Sequence, residues 1–130
     1  MFTINDIHQA FEKVKSGEDF PAFVQDLKRI GVQYYENDVA DGHCDYFGAN
    51  NYILPVEAKY PNIAVSESGS REKLEHALKI HQAGETDYPT FCRQAADAGI
   101  AKWRTHMIEM TVNYLDSTGK SILIEKIPVV

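Results

Sequence analysis

Asp19-Phe20-Pro21-Ala22-Phe23, running on to Gly31-Val32, is met again as Asp87-Tyr88-Pro89-Thr90-Phe91, running on to Gly99-Ile100. Each copy has an acid, an aromatic ring, a proline, and a phenylalanine two residues on. Each closes with glycine and a β-branched residue at the same distance. Upstream, Ile7, Ala10, Phe11 and Gly17 correspond to Leu74, Ala77, Leu78 and Gly84, with Thr86 as a one-residue insertion. A period of this size calls for a repeat reading before any other. Two copies are too few for a solenoid. The chain therefore reads as one domain over 1–130, with a pseudo-twofold axis relating halves of about 1–65 and 66–130.

Outward from these stretches the pattern is helical. Thr3 suits an N-cap, and Ile4, Ile7, Phe11 and Val14 follow at helical spacing, with Gly17 as the expected stop. A second helix starts near Asp19, where a carboxylate favours the positive end of a helix and Pro21 fits a first turn. Gly31 has the character of a left-handed C-cap residue. From Val32 the period moves towards two, predicting strands over Val32–Val39, His43–Phe47 and Tyr52–Val56. The first two are joined at Ala40-Asp41-Gly42, a strong turn signal. Pro55 and Pro61 suggest edge positions or a bulge, and Ile63–Val65 could extend the third strand. After the linker-like Glu67-Ser68-Gly69-Ser70 the order recurs. Two helices precede a long strand or hairpin over Ala101–Leu115, a turn at Asp116–Gly119 and a last strand over Ser121–Ile127. Each half is helix–helix–strands, so the fold class is α+β, with helices packed on one face of a mostly antiparallel sheet.

Composition narrows the function. With 130 residues, 44% hydrophobic and 25% charged, the chain is long enough for a real core. A net charge of -6 argues against a dedicated nucleic-acid binder and against a polybasic membrane anchor. No stretch approaches the ~20 apolar residues of a membrane span, and the first residues lack the basic and apolar regions of a signal peptide. Cys44 and Cys92 have no metal-finger or redox spacing, so a cytoplasmic protein with reduced thiols is expected. No phosphate loop, nucleophile elbow or zinc constellation is present. No cofactor and no metal is expected.

The aligned halves assign many residues to the core. Cys92 falls where Val24 sits, Tyr35 aligns with Trp103, and Val39 with Met107; these positions should face the helices. The other strand face carries Glu36 where its counterpart is Arg104, and Asp38 where its counterpart is His106. If these strands meet across the axis, Glu36–Arg104 and Asp38–His106 pair, giving either an ordinary solvated face or a polar seam that binds something. The densest chemistry is Asp41-Gly42-His43-Cys44-Asp45-Tyr46. His43 and Cys44 are neighbours on a strand and point to opposite faces. His43 and Asp45 share a face that Asp41 could join, a candidate acid–base or metal set whose plainer reading is a polar hairpin. His76 and His81 are five apart and do not share a helix face. The seven tyrosines (34, 35, 46, 52, 60, 88 and 114) cluster around the strands and could wall a pocket, although tyrosine is also an ordinary strand former.

The motifs Asp19-Phe20-Pro21, Asp41-Gly42-His43, Tyr46-Phe47-Gly48, Ala58-Lys59-Tyr60-Pro61 and Thr86-Asp87-Tyr88-Pro89-Thr90-Phe91-Cys92 together resemble a small bacterial family. This is the YbcV-like domains of unknown function, often labelled "phage envelope protein". The resemblance covers nearly the whole chain and is most specific at the Asp-Tyr-Pro-Thr-Phe-Cys run and at Glu125-Lys126-Ile127-Pro128. It implies a prophage association but supplies no activity and no catalytic residues. The envelope label fits poorly with a chain that lacks a membrane segment.

The reading that follows is a binding module for a small molecule or a protein, acting through the strand face or seam at Glu36, Asp38, His43, Arg104 and His106. One rival is a hydrolase or metal-dependent enzyme using Asp41, His43 and Asp45. The other is an assembly protein that forms a homodimer through exposed sheet edges.

Overall fold

A computed structural model describes residues 1–15 and 17–128. The first half contributes α1 (Ile4–Phe11), α2 (Phe20–Arg29), β1 (Tyr34–Asp38), β2 (Cys44–Phe47) and β3 (Ile53–Val56). The second contributes α3 (Arg71–Gln82), α4 (Tyr88–Asp97), β4 (Ile100–His106), β5 (Thr111–Asp116) and β6 (Ser121–Lys126). The element order is thus helix–helix–strand–strand–strand, twice. All six strands form one antiparallel sheet in the order β3-β2-β1-β4-β5-β6. The expected α+β class is the observed one.

Local chemistry explains the helix limits. Thr3 and Asp6 form a reciprocal capping box on α1, each side chain accepting the other's backbone N–H. The helix ends at Phe11, short of the expected stop at Gly17. Past it the Val14 N–H closes on the Phe11 carbonyl at 2.9 Å and the Lys15 N–H bonds to the Asp19 carboxylate at 2.8 Å; Gly17 instead opens a short 3₁₀ turn, Gly17–Asp19. Ser70 caps α3 and Asp87 caps α4 by accepting the Lys73 and Thr90 N–H groups. Pro21 and Pro89 sit in the first turns of α2 and α4, where no intrahelical donor is lost. Gly31 and Gly99 follow those helices at φ +105 and +79, as a left-handed cap requires.

The strands differ from expectation in one place, and the alternative left open for Ala101–Leu115 is decided. Ile63–Val65 does not extend β3; the Ile63 N–H bonds instead to the Ala40 carbonyl at 2.7 Å, tying that loop to the β1–β2 turn. The Ala101–Leu115 stretch is a hairpin, turning at residues 107–110 with Met110 at φ +55. Pro55 lies on β3, an edge strand, where its missing N–H costs no ladder bond.

One face of the sheet is buried beneath the helices. Tyr35, Cys44, Tyr46, Trp103, Val112 and Tyr114 all lie there. Phe23 of α2 meets Tyr35 edge-on at 6.5 Å, and Phe91 of α4 meets Trp103 at 5.6 Å, so aligned positions make the same contact in both halves. Val24 and Cys92 are both buried, as are Val39 and Met107. On the opposite face every strand side chain stays partly or fully exposed. Antiparallel sheets tolerate one such solvated face.

Candidate functional site

The central register decides which expected partners meet. β1 and β4 run antiparallel with Glu36 opposite Arg104. The Arg104 Nε and Nη2 both donate to Glu36 Oε2, the former at 2.7 Å, so this expected pair is formed. Asp38–His106 is not. Asp38 stands opposite Lys102 and His106 opposite Tyr34. In an antiparallel pair only one aligned position can face its own counterpart, and here it is Glu36 with Arg104. Every other aligned pair is displaced along the strands in opposite directions. His106 stacks instead on Tyr34 at 5.4 Å, which stacks in turn on Phe47 at 4.3 Å. Glu36, Asp38, Arg104 and His106 do share the open face, as expected.

Asp38 finds its nearest base at the β1–β2 turn. Asp41, Asp38 and His43 form a cluster: His43 Nδ1 lies 2.6 Å from Asp41 Oδ1, and His43 Nε2 lies 4.0 Å from Asp38 Oδ2. Asp45, expected in that set, is not part of it. It faces Glu36 and Pro55 across the neighbouring strands. The Asp41 carboxylate is held below its ordinary range, first by the His43 backbone N–H at 2.9 Å and then by the imidazole. This is the geometry of a side-chain-closed turn. Cys44, next along the strand, points to the buried face and away from His43. Burial pushes its thiol up to about 12, so it carries no thiolate near neutrality.

The other side of the sheet is hollowed. A cleft of about 1480 Å³ opens between the helices and the buried sheet face. Five of the seven tyrosines line it (35, 46, 60, 88 and 114), together with Trp103, the only tryptophan. One region of its wall is polar but uncharged. Asn37, 7% exposed, donates from Nδ2 to the Tyr88 hydroxyl at 2.7 Å. The Tyr60 hydroxyl donates to the Val39 carbonyl at 2.6 Å, and the Cys92 thiol sits beside the Tyr60 and Tyr88 hydroxyls. Burial raises the Tyr60, Tyr88 and Cys92 groups above their ordinary values, so all three stay protonated and neutral.

Two titratable groups mark the second half's side of the cleft. The His81 ring stacks on Phe91 at 4.7 Å, with Nδ1 3.1 Å from the Thr86 carbonyl. Burial lowers its proton affinity. Glu125 of β6 accepts both hydrogen bonds from Gln82 Nε2 at 3.1 Å, yet burial still raises its carboxyl. Sequence periodicity places Tyr35, Trp103 and His81 inward. The same period of two puts Asn37, between Tyr35 and Val39, on that inward face, but its polar side chain is not one the sequence singles out for a cleft.

Residues 8–126 match the family described as "Protein of unknown function (DUF1398)", and the chain belongs to that family. It is also similar to the "Uncharacterized protein YcgX" of Escherichia coli (strain K12), with 21% identity over 117 residues, covering 90% of this chain and 87% of that protein. No helix among the described residues is long and apolar enough to cross a membrane.

Proposed function

We propose that the protein is a small-molecule-binding module, and that the cleft between the helices and the sheet receives the ligand. The carrying observation is the pairing of a roomy aromatic wall with a buried polar patch at Asn37 and Tyr88. Ligand sites are concave, mostly apolar and fixed in orientation by a few polar groups; they span ~300–1,000 Å³, which this cleft exceeds. Because Asn37, Tyr60, Tyr88 and Cys92 are uncharged, the patch favours an uncharged group. A buried charge would find no counter-charge among those four. The ligand class is therefore a ring-bearing compound with a carbonyl, amide or hydroxyl group. The prophage association belongs to this reading through the family resemblance, and two unbridged, buried cysteines support a reducing compartment.

Prodan, an uncharged naphthyl ketone, tests the site. The expected result is saturable binding with energy transfer from Trp103. Asn37→Leu should weaken prodan binding about ten-fold while leaving naphthalene binding unchanged; one lost hydrogen bond to a buried group is worth ~1–3 kcal/mol. Absence of saturable transfer in a chain with native near-ultraviolet dichroism rejects the cleft.

A further inference from the structure

The open sheet face is divided by charge. On the strands of the first half it carries Asp45, Glu36 and Asp38. On those of the second half it carries Lys102, Arg104 and Lys126, with His106 beside them. The boundary runs between β1 and β4, and Glu36–Arg104 lies on it. Aromatic and aliphatic groups fill the gaps: Phe47 and Tyr34 stack on the acidic side, and Ile53 and Ile124, 52% and 60% exposed, stand on the two edge strands. Large apolar groups among arginine and aromatic side chains are the composition of a protein interface rather than of a plain solvated face.

We infer that this face binds a second copy of the same chain, sheet against sheet. The charge pattern selects both the partner and its orientation. A twofold axis parallel to the strands, midway between the sheets, lays β1 of one copy over β4 of the other and β2 over β5. Each acidic half then covers the other copy's basic half. Glu36 comes to lie near Arg104 of the second copy, and Asp38 near Lys102. A twofold axis across the strands would set acid on acid and base on base. A self-complementary patch is what an isologous dimer requires. Aligned sheets pack about 10 Å apart, within reach of these side chains. The helices and nearly all of their cleft stay on the outside of such a dimer; of the charged residues named on the open face, Lys126 alone also lines the cleft.

Sedimentation and native mass spectrometry test this with two variants. Lys102→Glu with Lys126→Glu leaves Arg104 in place and makes the face predominantly acidic. Asp45→Lys with Asp38→Lys makes it predominantly basic. The wild-type chain should dimerise, more weakly as salt rises. Each variant alone should self-associate at least ten-fold more weakly. An equimolar mixture of the two should recover dimers, of the mixed mass. Asp38 also accepts the Ala40 N–H in the β1–β2 turn, so Asp45→Lys alone serves if the double variant does not fold. A wild-type chain that stays monomeric at hundreds of micromolar overturns the inference. So does a dimer that both variants keep, or a mixture that recovers none.

Discussion

Gly84 and Gly99 share a backbone conformation, φ +79, and differ in what surrounds them. A Cβ on Gly84 meets nothing within 4 Å, whereas one on Gly99 would stand 2.3 Å from the Ser68 carbonyl oxygen. Gly84→Ala should therefore cost only the left-handed penalty, about 1 kcal/mol, and Gly99→Ala about 3 kcal/mol, measured by urea unfolding. The sequence marks both glycines as helix ends; it cannot show that the linker's backbone is laid against only one of them. His81 illustrates the same divide. Its place on an apolar stripe is legible, but its stack on Phe91 depends on how α3 meets α4. Because it holds a proton less readily folded than unfolded, the unfolded chain takes up protons first on acidification. The stability that neutral His81 supplies is complete above 6.5, its ordinary value, and is lost as pH falls through the lower folded value. His81→Phe keeps the stack, so the slope of melting temperature against pH below about 6.5 should flatten. Glu125 has the opposite dependence. Its raised carboxyl costs stability as pH climbs above 4.5, so Glu125→Gln should raise the melting temperature at neutral pH and change nothing at pH well below that value.

At the scale of elements, the antiparallel seam turns a list of aligned residues into a geometry. Glu36–Arg104 follows from the repeat alignment because that position is its own opposite. Asp38–His106 fails for the same reason, being two residues off that position in each strand. Pairing needs a register as well as a face, and the alignment alone supplies only the face. Arg104 keeps 39% of its side-chain area exposed, so solvent screens the pair. Glu36→Arg and Arg104→Glu singly should each cost about 1 kcal/mol, and the double exchange should recover at least half of the summed loss. A double-mutant cycle with no coupling would show the contact to be energetically idle. The Asp41–His43 contact was legible as a polar turn. Its third member was not, since Asp38 reaches it by strand pairing rather than by sequence proximity.

At the scale of the whole molecule, the α+β class and the helix–helix–strand order were readable from two recurring motifs, because Pro21 and Pro89 open, and Gly31 and Gly99 close, the second helix of each half. The cleft was readable only as a surplus of tyrosines. Its lining comes from all four helices, the buried sheet face and the 56–63 segment, an assembly no local pattern encodes. The on-axis pair carries one more consequence. Suppose a chain of half this length, carrying only α1 to β3, joined a twin along the free edge of β1. The residue at position 36 would then face its own copy, glutamate against glutamate, and no substitution there could give the two sides opposite signs. Covalent union of both strands removes that restriction. It lets a carboxylate and a guanidinium occupy symmetric places, and with them an acidic flank and a basic flank meet on a single sheet.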